Sequence, residues 1–551
     1  MVRVAESSTM PLDPAPKARR ASASAGRLMR IGSLAGGLVV VLILVMQALR
    51  PVYAFRPPAG APEPSFKAYL DRAAPMILAH FGVPGMVVST VVHGAPQKTY
   101  AYGFADVAHH RPMSDDTVFR VASVSKSLTA WGVLQLVRNG QVDLDAPVQQ
   151  YLSEWPLPKS RFSTRGVTVR RLLDHTSGLN AGADQFRAPD ERALSAVELL
   201  AREGDGPAPN PARQVSEPGR RYLYSVPGYT LLRLMIEEQT HQPFSDFMKS
   251  DVLRPLGMTS SSFDWDASLR GRTAIPYQRD GRPIPVLVPQ DIAADSLFAT
   301  GPDLARFLIA PLPDYRLATG PDGLGQKSRG GKSALADRLP MIELEGLKMD
   351  GPGLGCFIER LPDGRLVVTN GGYDPGWASQ YYIVPSTGDG IVVLTNSEVG
   401  EPAIAEVLAD WAAWRGLPPM KLTHAHYMLR LNVALVLGIL VMISLHFGSD
   451  LLIEIDSGAR RFGDLGPASL AGGAFETTLA LSLMGLWFYL RAQIVMVMPI
   501  FYDFGSIAIG LFAFVAVARL AFPRRRNRVP APASPSAIPL VSGAGAGISP
   551  N

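Results

Sequence analysis

Four long apolar segments near the ends of the chain restrict what it can fold into. One spans residues 31–49, and the other three span 428–447, 470–490 and 494–522. A helix of about 20 apolar residues is long enough to cross a lipid bilayer. The sequence therefore predicts one transmembrane anchor before a long polar region and three transmembrane helices, within 428–522, after it.

Arginines beside these segments predict their orientation. Arg27 and Arg30 precede the first segment, Arg460 and Arg461 lie between the second and the third, and arginines 524–526 follow the last. Basic residues that flank membrane spans stay on the cytoplasmic side. The sequence therefore predicts that the chain crosses the inner membrane four times and that both termini lie in the cytoplasm.

The same topology divides the chain into regions. A basic tail, 1–30, would be cytoplasmic, and about 55–425 would face the periplasm or the cell exterior. The tail 523–551 is rich in Pro, Ala, Ser and Gly, which predicts disorder. The segment 31–49 has an alternative interpretation as a cleaved signal peptide, because Val52-Tyr53-Ala54 has small residues at the usual cleavage spacing. Either interpretation exports the polar region.

Composition limits the class of protein. Of the 551 residues, 47% are hydrophobic and 18% are charged, compared with about 25% charged in average globular proteins. The single cysteine, Cys356, excludes an intramolecular disulfide and a cysteine-based metal site. The net charge is +5, and several of the basic residues lie beside the apolar segments. Their position indicates a lipid bilayer as partner and not nucleic acid. Metal-binding histidine motifs and phosphate-binding glycine loops are missing, so neither a metal nor another cofactor is expected.

The polar region has a mixed α and β pattern. Residues 85–104 predict a β-hairpin, and 353–396 contain four strand-like runs separated by Gly-containing turns. Helical patterns lie between them, at 123–139, 193–202 and 228–240. The sequence predicts that the two ends of this region share one sheet and that the middle forms a helical lobe.

A serine and a lysine at the start of the first helical pattern can carry chemistry. Ser123 and Lys126 are three residues apart, so they share one face of a helix. A serine hydroxyl is a weak nucleophile until a nearby base takes its proton, and a lysine of lowered pKa can do so. The S-x-x-K pattern alone is common, and an N-cap serine with a solvated lysine is the alternative.

Several sequence blocks, in order, resemble one family. These blocks are FRVASVSKSLTA (119–130), VDLDAPV (142–148), VTVRRLLDHTSGL (167–179), PGRRYLYSVPGYTLL (218–232), VLRPLGMTSSSF (252–263), FATGPDLARF (298–307) and GGYDPGW (371–377). Over residues 66–415 the chain resembles the serine β-lactamase and penicillin-binding-protein superfamily, in its class C-like branch with esterases and D-aminopeptidases. The resemblance implies an α/β (α+β) β-lactamase/transpeptidase-like fold, an antiparallel sheet flanked by helices with a helical lobe.

The resemblance also implies catalytic roles. Ser123 matches the acylated nucleophile, Lys126 its base, and Tyr224 a proton-shuttling phenol whose pKa is lowered by lysine neighbours. The backbone amides of Ser123 and Tyr373 match the oxyanion hole. His175 lies in a block that supports structure in the family, and a Ser–His–Asp triad with Asp174 is the alternative.

Three positions depart from the family pattern. Val226 replaces the usual asparagine of the Y-x-N motif, and Asn370, followed by Gly371 and Gly372, replaces the K-T-G or H-x-G motif of the strand that lines the cleft. Val226, Asn370, Gly371 and Gly372 are predicted to contact substrate. They lack the asparagine amide at position 226 and the cation at position 370 that would bind a β-lactam. Asp295-Ser296 replaces a usual Gly-Gly pair.

The predicted protein is a membrane-anchored serine hydrolase that cleaves a small-molecule or peptide ester or amide through an acyl-enzyme on Ser123. Within enzymes, the alternative is a D-amino-acid-specific peptidase, carboxypeptidase or β-lactamase that acts on cell-wall-type substrates. The alternative from another functional class is a membrane protein that binds or scaffolds and has weak catalytic activity. Retention of Ser123, Lys126 and Tyr224 together favours the enzyme.

Overall fold

The computed structural model describes residues 16–49, 57, 59–182, 185–202, 211–313, 342–344, 347–349, 351–462, 467–489 and 499–523. The predictions for residues 1–15, for the cleavage site at 52–54 and for the tail from 524 onward lie outside these ranges. The chain divides into two compact units. One comprises 1–44, 435–491 and 503–551, and the other comprises 45–434 and 492–502.

The longer strands lie at the two ends of the region 85–395 and most of the helices lie between them, as the sequence patterns predict. The helices are α1 (Pro16–Leu49), α2 (Glu63–Phe81), α3 (Ser125–Arg138), α4 (Val169–Leu173), α5 (Ala196–Arg202), α6 (Val226–Thr240), α7 (Phe244–Phe247), α8 (Ala267–Arg270), α9 (Ile292–Asp295), α10 (Gly301–Ile309), α11 (Gly400–Arg415), α12 (Lys421–Asp456), α13 (Pro467–Tyr489) and α14 (Pro499–Ala521). The strands are β1 (Gly85–Val92), β2 (Ala95–Asp106), β3 (Arg111–Pro112), β4 (Phe119–Arg120), β5 (Phe186–Arg187), β6 (Val288–Pro289), β7 (Phe298–Ala299), β8 (Ile342–Leu344), β9 (Leu347–Met349), β10 (Gly351–Pro352), β11 (Phe357–Arg360), β12 (Leu366–Asp374), β13 (Trp377–Val384) and β14 (Asp389–Thr395).

The main sheet joins the two ends of the larger unit. Its strand order is β10-β11-β12-β13-β14-β1-β2-β3, and neighbouring strands are antiparallel. β1 pairs with β14, with Met86 opposite Thr395. The prediction that the ends share a sheet, with a helical lobe between them, is confirmed.

The hairpin of β1 and β2 turns at His93 and Gly94. Both residues have positive φ, 52° and 78°. Two successive residues with positive φ are typical of the tight turn whose twist matches that of paired strands. Glycine adopts this conformation without steric cost, so the His-Gly dipeptide fixes the hairpin that the sequence predicts.

Both faces of the sheet are buried, and alternate residues of each strand serve different cores. In β1, Met86 and Val88 pack in a core with residues of α2 and α11. Val87 and Val91 pack on the opposite face, in a larger core with the helical lobe. Because strand side chains alternate between faces, the run of apolar residues in β1 supplies two cores at once. This packing anchors the sheet between two helical layers.

Helix α6 begins two residues before the predicted start at 228. The Ser225 hydroxyl accepts a hydrogen bond from the Gly228 amide at 3.2 Å and caps the helix. Such a cap satisfies an amide that has no partner within the helix. Helix α3 begins at Ser125, and a short 3₁₀ turn, Ala122–Val124, precedes it.

The apolar segments form helices. Within α1, Ser24–Ala48 is long and apolar enough to cross a membrane, and so is α12, by length and composition. Helices α13 and α14 contain the shorter apolar stretches Thr477–Trp487 and Gly505–Ala521 among the described residues.

Candidate active site

The segment before α3 holds Ser123 in a constrained turn. Ala122 has a φ of 46°, a left-handed conformation that costs an L-residue about 1–2 kcal/mol. The Ser125 hydroxyl donates to the Ala122 carbonyl at 2.6 Å, and the Ser379 hydroxyl of β13 donates to the Val121 carbonyl at 2.9 Å. Backbone strain that is held by surrounding contacts is common at active sites. The turn therefore presents Ser123 in a fixed orientation.

The Ser123 hydroxyl lies among three polar side chains. Its oxygen is 2.7 Å from the Tyr224 hydroxyl and 3.0 Å from Lys126 Nζ. Ser123 also donates a hydrogen bond of 2.8 Å to Asp295 Oδ1. The three residues that the S-x-x-K and Y-x-N blocks predict to be catalytic are thus brought together, and a carboxylate joins them.

Lys126 is a buried, charged donor. Its ammonium donates to the Ala294 carbonyl at 3.1 Å and to Asp295 Oδ1 at 3.0 Å, as well as to Ser123. Burial lowers its pKa, but the Asp295 carboxylate and the Tyr224 phenol outweigh burial, so the pKa is raised above its ordinary value. The sequence predicts a lysine of lowered pKa here, whereas the Asp295 carboxylate beside it favours the ammonium form. The role of Lys126 as the base stays a prediction.

Tyr224 keeps its proton. Burial raises the pKa of its phenol, and Asp295 raises it too, while Lys126 opposes them. Lys126 Nζ lies 5.0 Å from the centre of the Tyr224 ring. This pKa is therefore raised and not lowered as predicted, because burial of the phenol outweighs the positive charge of Lys126. A neutral phenol in contact with Ser123 is placed to donate a proton.

His175 supports Tyr224 and is neutral. Its ring lies 4.4 Å from that of Tyr224, and its Nδ1 accepts a 3.1 Å hydrogen bond from the Ser225 amide. Burial and the charge of Lys126 lower its pKa to about 3. The Asp174 carboxylate accepts from Thr176, at 3.0 Å from the amide and 2.6 Å from the hydroxyl. The alternative Ser–His–Asp triad is therefore not formed.

Asn370 has a role within the protein. Its side chain is buried, and the amide nitrogen lies within hydrogen-bond distance of three acceptors. These are the Ser123 carbonyl at 3.1 Å, the Ser127 hydroxyl at 3.0 Å and the Gly355 carbonyl at 3.3 Å. The amide is therefore directed into the protein, where it ties β12 to the nucleophile segment. The structure thus gives Asn370 a structural role, and its predicted contact with substrate stays a prediction.

The two glycines after Asn370 allow β12 to lie close to the nucleophile turn. A Cβ on Gly372 would lie 2.2 Å from the Val121 carbonyl oxygen, and one on Gly371 would lie 2.3 Å from Gln380 Oε1. Gly372 therefore permits a close approach between two backbones. Tyr373 follows, half-buried, and is paired with Ala378 of β13. The oxyanion hole of the Ser123 and Tyr373 amides remains a prediction.

Val226 also has a role within the protein. It is the first residue of α6, is 5% exposed and packs within the larger core. Its amide donates to the Ala181 carbonyl at 2.8 Å. Burial in the core stabilises an apolar side chain, so Val226 contributes to packing. Its predicted contact with substrate stays a prediction.

Asp295 is the site residue to which sequence reasoning assigned no role. It is the last residue of α9 and lies 172 positions after Ser123 in the chain. The signal was the substitution of a charged residue for a usual glycine, within the run Asp291-Ile292-Ala293-Ala294-Asp295. Only the fold shows that this carboxylate meets the nucleophile.

The chain is similar to several known proteins. The family model Beta-lactamase matches residues 70–412. Esterase EstB of Burkholderia gladioli is 34% identical over 40% of this chain and 57% of its own length. Penicillin-binding protein 4 of Amycolatopsis lactamdurans is 28% identical over 60% of this chain and 84% of its own length. The solved structure of D-amino acid amidase from Ochrobactrum anthropi SV3, complexed with L-phenylalanine, is 25% identical, with a TM-score of 0.49 over 62% of this chain and 98% of that chain.

The matched lengths differ between relatives. The chain spans 57% of esterase EstB and 34% of penicillin-binding protein 4* of Bacillus subtilis. The family model, by contrast, covers more than half of this chain and includes Ser123, Lys126, Tyr224 and Asp295. The predicted resemblance and fold are confirmed. The protein belongs to the Beta-lactamase family.

Proposed function

We propose that this protein is a serine hydrolase that cleaves small neutral carboxylic esters through a covalent acyl-enzyme on Ser123. The observation that carries the proposal is the contact of the Ser123 hydroxyl with Tyr224 at 2.7 Å and with Lys126 at 3.0 Å. A serine with proton-handling neighbours at hydrogen-bond distance is the arrangement that acyl transfer needs. The similarity to a protein named esterase EstB supports the same reaction.

The substrate class follows from charge. Asn370 stands where the resemblance predicts a lysine or histidine, and its amide is directed to the Ser123 carbonyl. A substrate carboxylate would find no cation at this position. A neutral ester needs none, because its carbonyl oxygen requires only hydrogen-bond donors. The proposal therefore favours neutral esters over β-lactams and over peptides with a free carboxylate.

The reaction would proceed in two steps. Ser123 attacks the acyl carbon, and the backbone amides of Ser123 and Tyr373 hold the negative oxygen. One such donor contributes about 10²–10³ in kcat. Tyr224 donates its phenol proton to the leaving alkoxide, and the ammonium of Lys126 stabilises the negative charge nearby. Water then releases the acyl group from Ser123.

We also propose that the enzyme is held in a cell membrane by four crossings, with both termini in the cytoplasm. In the smaller unit, Arg30 pairs with Asp450 at 2.7 Å, so the start of the apolar stretch of α1 is level with the end of α12. Arg460 donates to the Phe522 carbonyl at 2.8 Å, beside the end of α14. These contacts support a topology in which the basic residues share one side.

The esterase proposal is tested with the full-length protein in detergent. Hydrolysis of p-nitrophenyl butyrate and of a chromogenic cephalosporin is measured for the wild type and for Ser123→Ala. The proposal expects a higher kcat/KM for the ester and no activity of either kind in the variant. Efficient cephalosporin hydrolysis with negligible esterase activity would contradict it.

The topology is tested by cysteine labelling in a Cys356→Ala background. Single cysteines are introduced as Asp280→Cys, in an exposed turn, and as Ser534→Cys, in the C-terminal tail. A membrane-impermeant maleimide is expected to label position 280 in spheroplasts, and position 534 only after the membrane is permeabilised. Labelling of position 534 in intact spheroplasts would contradict the proposed crossings.

A further inference from the structure

The Ser123 proton needs an acceptor, and the structure limits the choice. Lys126 Nζ lies 3.0 Å from Ser123 Oγ, 3.1 Å from the Ala294 carbonyl and 3.0 Å from Asp295 Oδ1. An ammonium has three hydrogens and no lone pair, and these three acceptors use all three hydrogens. In this arrangement Lys126 donates to the nucleophile and cannot take its proton.

The Asp295 carboxylate is the group that can take the Ser123 proton. An ionised carboxylate only accepts hydrogen bonds, and Asp295 Oδ1 accepts one from the Ser123 hydroxyl at 2.8 Å. Its side chain is only 7% exposed, so water competes little for this contact. A base within 2.6–3.2 Å of the proton that it removes meets the geometric requirement for general base catalysis.

Three hydrogen bonds hold helix α9, which ends at Asp295. Asp291 caps α9 by accepting from the Ala294 amide at 3.1 Å, and Thr230 of α6 in turn donates to Asp291. The Thr129 hydroxyl of α3 donates to the Ala293 carbonyl at 2.7 Å. Helix α9 is thus fastened to α3, which carries Lys126, and to α6, which follows Tyr224. The carboxylate is held at the nucleophile by the scaffold as well as by its own contacts.

We propose that Asp295 is a catalytic residue of this site, whose carboxylate takes the proton from the Ser123 hydroxyl as Ser123 attacks the acyl carbon. The inference rests on the proposed esterase function and adds a base to it. Lys126 then acts as the permanent counter-charge of Asp295 and as a proton relay. The carboxylate stands where the family resemblance predicts a glycine, so this base belongs to the chain's own sequence.

The proton transfers balance along the observed contacts. The O–H bond of Ser123 breaks, its proton moves to Asp295, the Oγ–C bond forms and the carbonyl electron pair moves to oxygen. When the C–O bond to the leaving alkoxide breaks, Tyr224 protonates that oxygen and an alcohol leaves. Lys126 Nζ lies 3.0 Å from Asp295 Oδ1 and 5.0 Å from the centre of the Tyr224 ring. Lys126 then gives Tyr224 the hydrogen that it had donated to Ser123 and receives the proton held by Asp295. Every side chain but the acylated serine ends in its starting state.

The test compares Asp295→Asn and Asp295→Gly with the wild type in full-length protein. Unfolding midpoints are measured first, and kcat for p-nitrophenyl butyrate is then measured well below them. Both variants are expected to lose about 100-fold or more in kcat, the usual contribution of a general base. Formate added to Asp295→Gly is expected to restore activity at least tenfold, because it supplies the missing carboxylate.

A matched control and the opposing results separate the possibilities. Ser296→Gly replaces the neighbouring buried residue, whose hydroxyl donates to the Phe263 carbonyl, and is expected to stay within about threefold of the wild type. Asp295→Gly with wild-type activity or more, without formate, would overturn the proposal and make the released Lys126 the base. A low activity of both variants with no gain from formate would also overturn it, leaving Asp295 as a partner that orients Lys126. A wild type that hydrolyses no ester would instead contradict the proposed function.

Discussion

Lys126 and Asp295 form an ion pair of 3.0 Å in which the two side chains are only 3% and 7% exposed. Two charges are thus withdrawn from water immediately beside the nucleophile. Such a pair gains little net stability, but removal of one partner leaves an uncompensated buried charge. This ion pair explains why the ammonium form of Lys126 is favoured, although Lys126 occupies the position of the base in the S-x-x-K motif.

The first prediction concerns the stability that this pair controls. Lys126→Met is expected to lower the free energy of unfolding by ~3–5 kcal/mol, because it strands the Asp295 carboxylate. The double variant Lys126→Met with Asp295→Asn is expected to recover most of that loss. Chemical denaturation of the two single variants and the double variant completes the cycle. Strictly additive losses would show that the two side chains do not interact.

The second prediction concerns Tyr224. Tyr224→Phe removes the hydroxyl that lies 2.7 Å from Ser123 Oγ and is expected to lower kcat for an ester by about 10²–10⁴-fold, the range for general acid–base groups. The ring contact with His175 remains, so the unfolding midpoint is expected to change little. Tyr222→Phe is the matched control, since that ring also contacts His175, at 5.8 Å. Equal activities of the two variants would contradict the role of Tyr224.

The third prediction concerns the strand that lies against the nucleophile turn. Gly372→Ala would place a Cβ 2.2 Å from the Val121 carbonyl oxygen, a backbone atom, so we expect a large loss of both acylation and stability. Gly371→Ala would meet only the end of the flexible Gln380 side chain and is expected to be milder. Kinetics and melting curves of the two variants check the difference. A Gly371→Ala variant that is impaired more than Gly372→Ala would contradict the geometry.

The fourth prediction concerns pH. The pKa of His175 is lowered to about 3 in the folded protein, whereas an unfolded histidine titrates near 6.5. Between these values the unfolded chain binds a proton that the folded chain does not, so stability falls as pH falls from about 7 toward 4.

His175→Gln is expected to flatten this dependence. Unfolding midpoints at pH 7, 6 and 5 are compared for the wild type, His175→Gln and the control His424→Gln, which alters an exposed histidine. An unchanged pH dependence in His175→Gln would contradict a neutral, buried His175.

The sequence predicts well what depends on local pattern and on chain order. β-Branched and aromatic residues between turn residues predict the strands in 85–104 and 353–396, and the three-residue spacing predicts the contact of Ser123 with Lys126. The sequence predicts substrate contacts for Asn370 and Val226 by analogy of position, but it does not predict their packing within the protein. Asn370 points to main-chain acceptors and Val226 to the core, which depends on packing from distant segments.

The effect of Asp295 on the site could not be predicted from the sequence. A carboxylate 172 residues away in the chain raises the pKa of Lys126, which the local motif predicts to be lowered. The same carboxylate adds to the burial that raises the pKa of Tyr224. The sequence marks Asp295 as a departure from a glycine, but it cannot show which groups the charge will face. Only the junction of α9 with α3 and α6 brings that charge to the nucleophile.

The central claim, that Ser123 is the acylated nucleophile, is tested most directly by covalent labelling. The full-length protein in detergent is treated with a fluorophosphonate, and the intact mass and the modified peptide are determined for the wild type, Ser123→Ala and the control Ser153→Ala, an exposed serine. We predict one adduct per chain, on Ser123, in the wild type and in the control, and none in Ser123→Ala. An adduct that persists in Ser123→Ala, or a wild type that takes no label, would contradict the account.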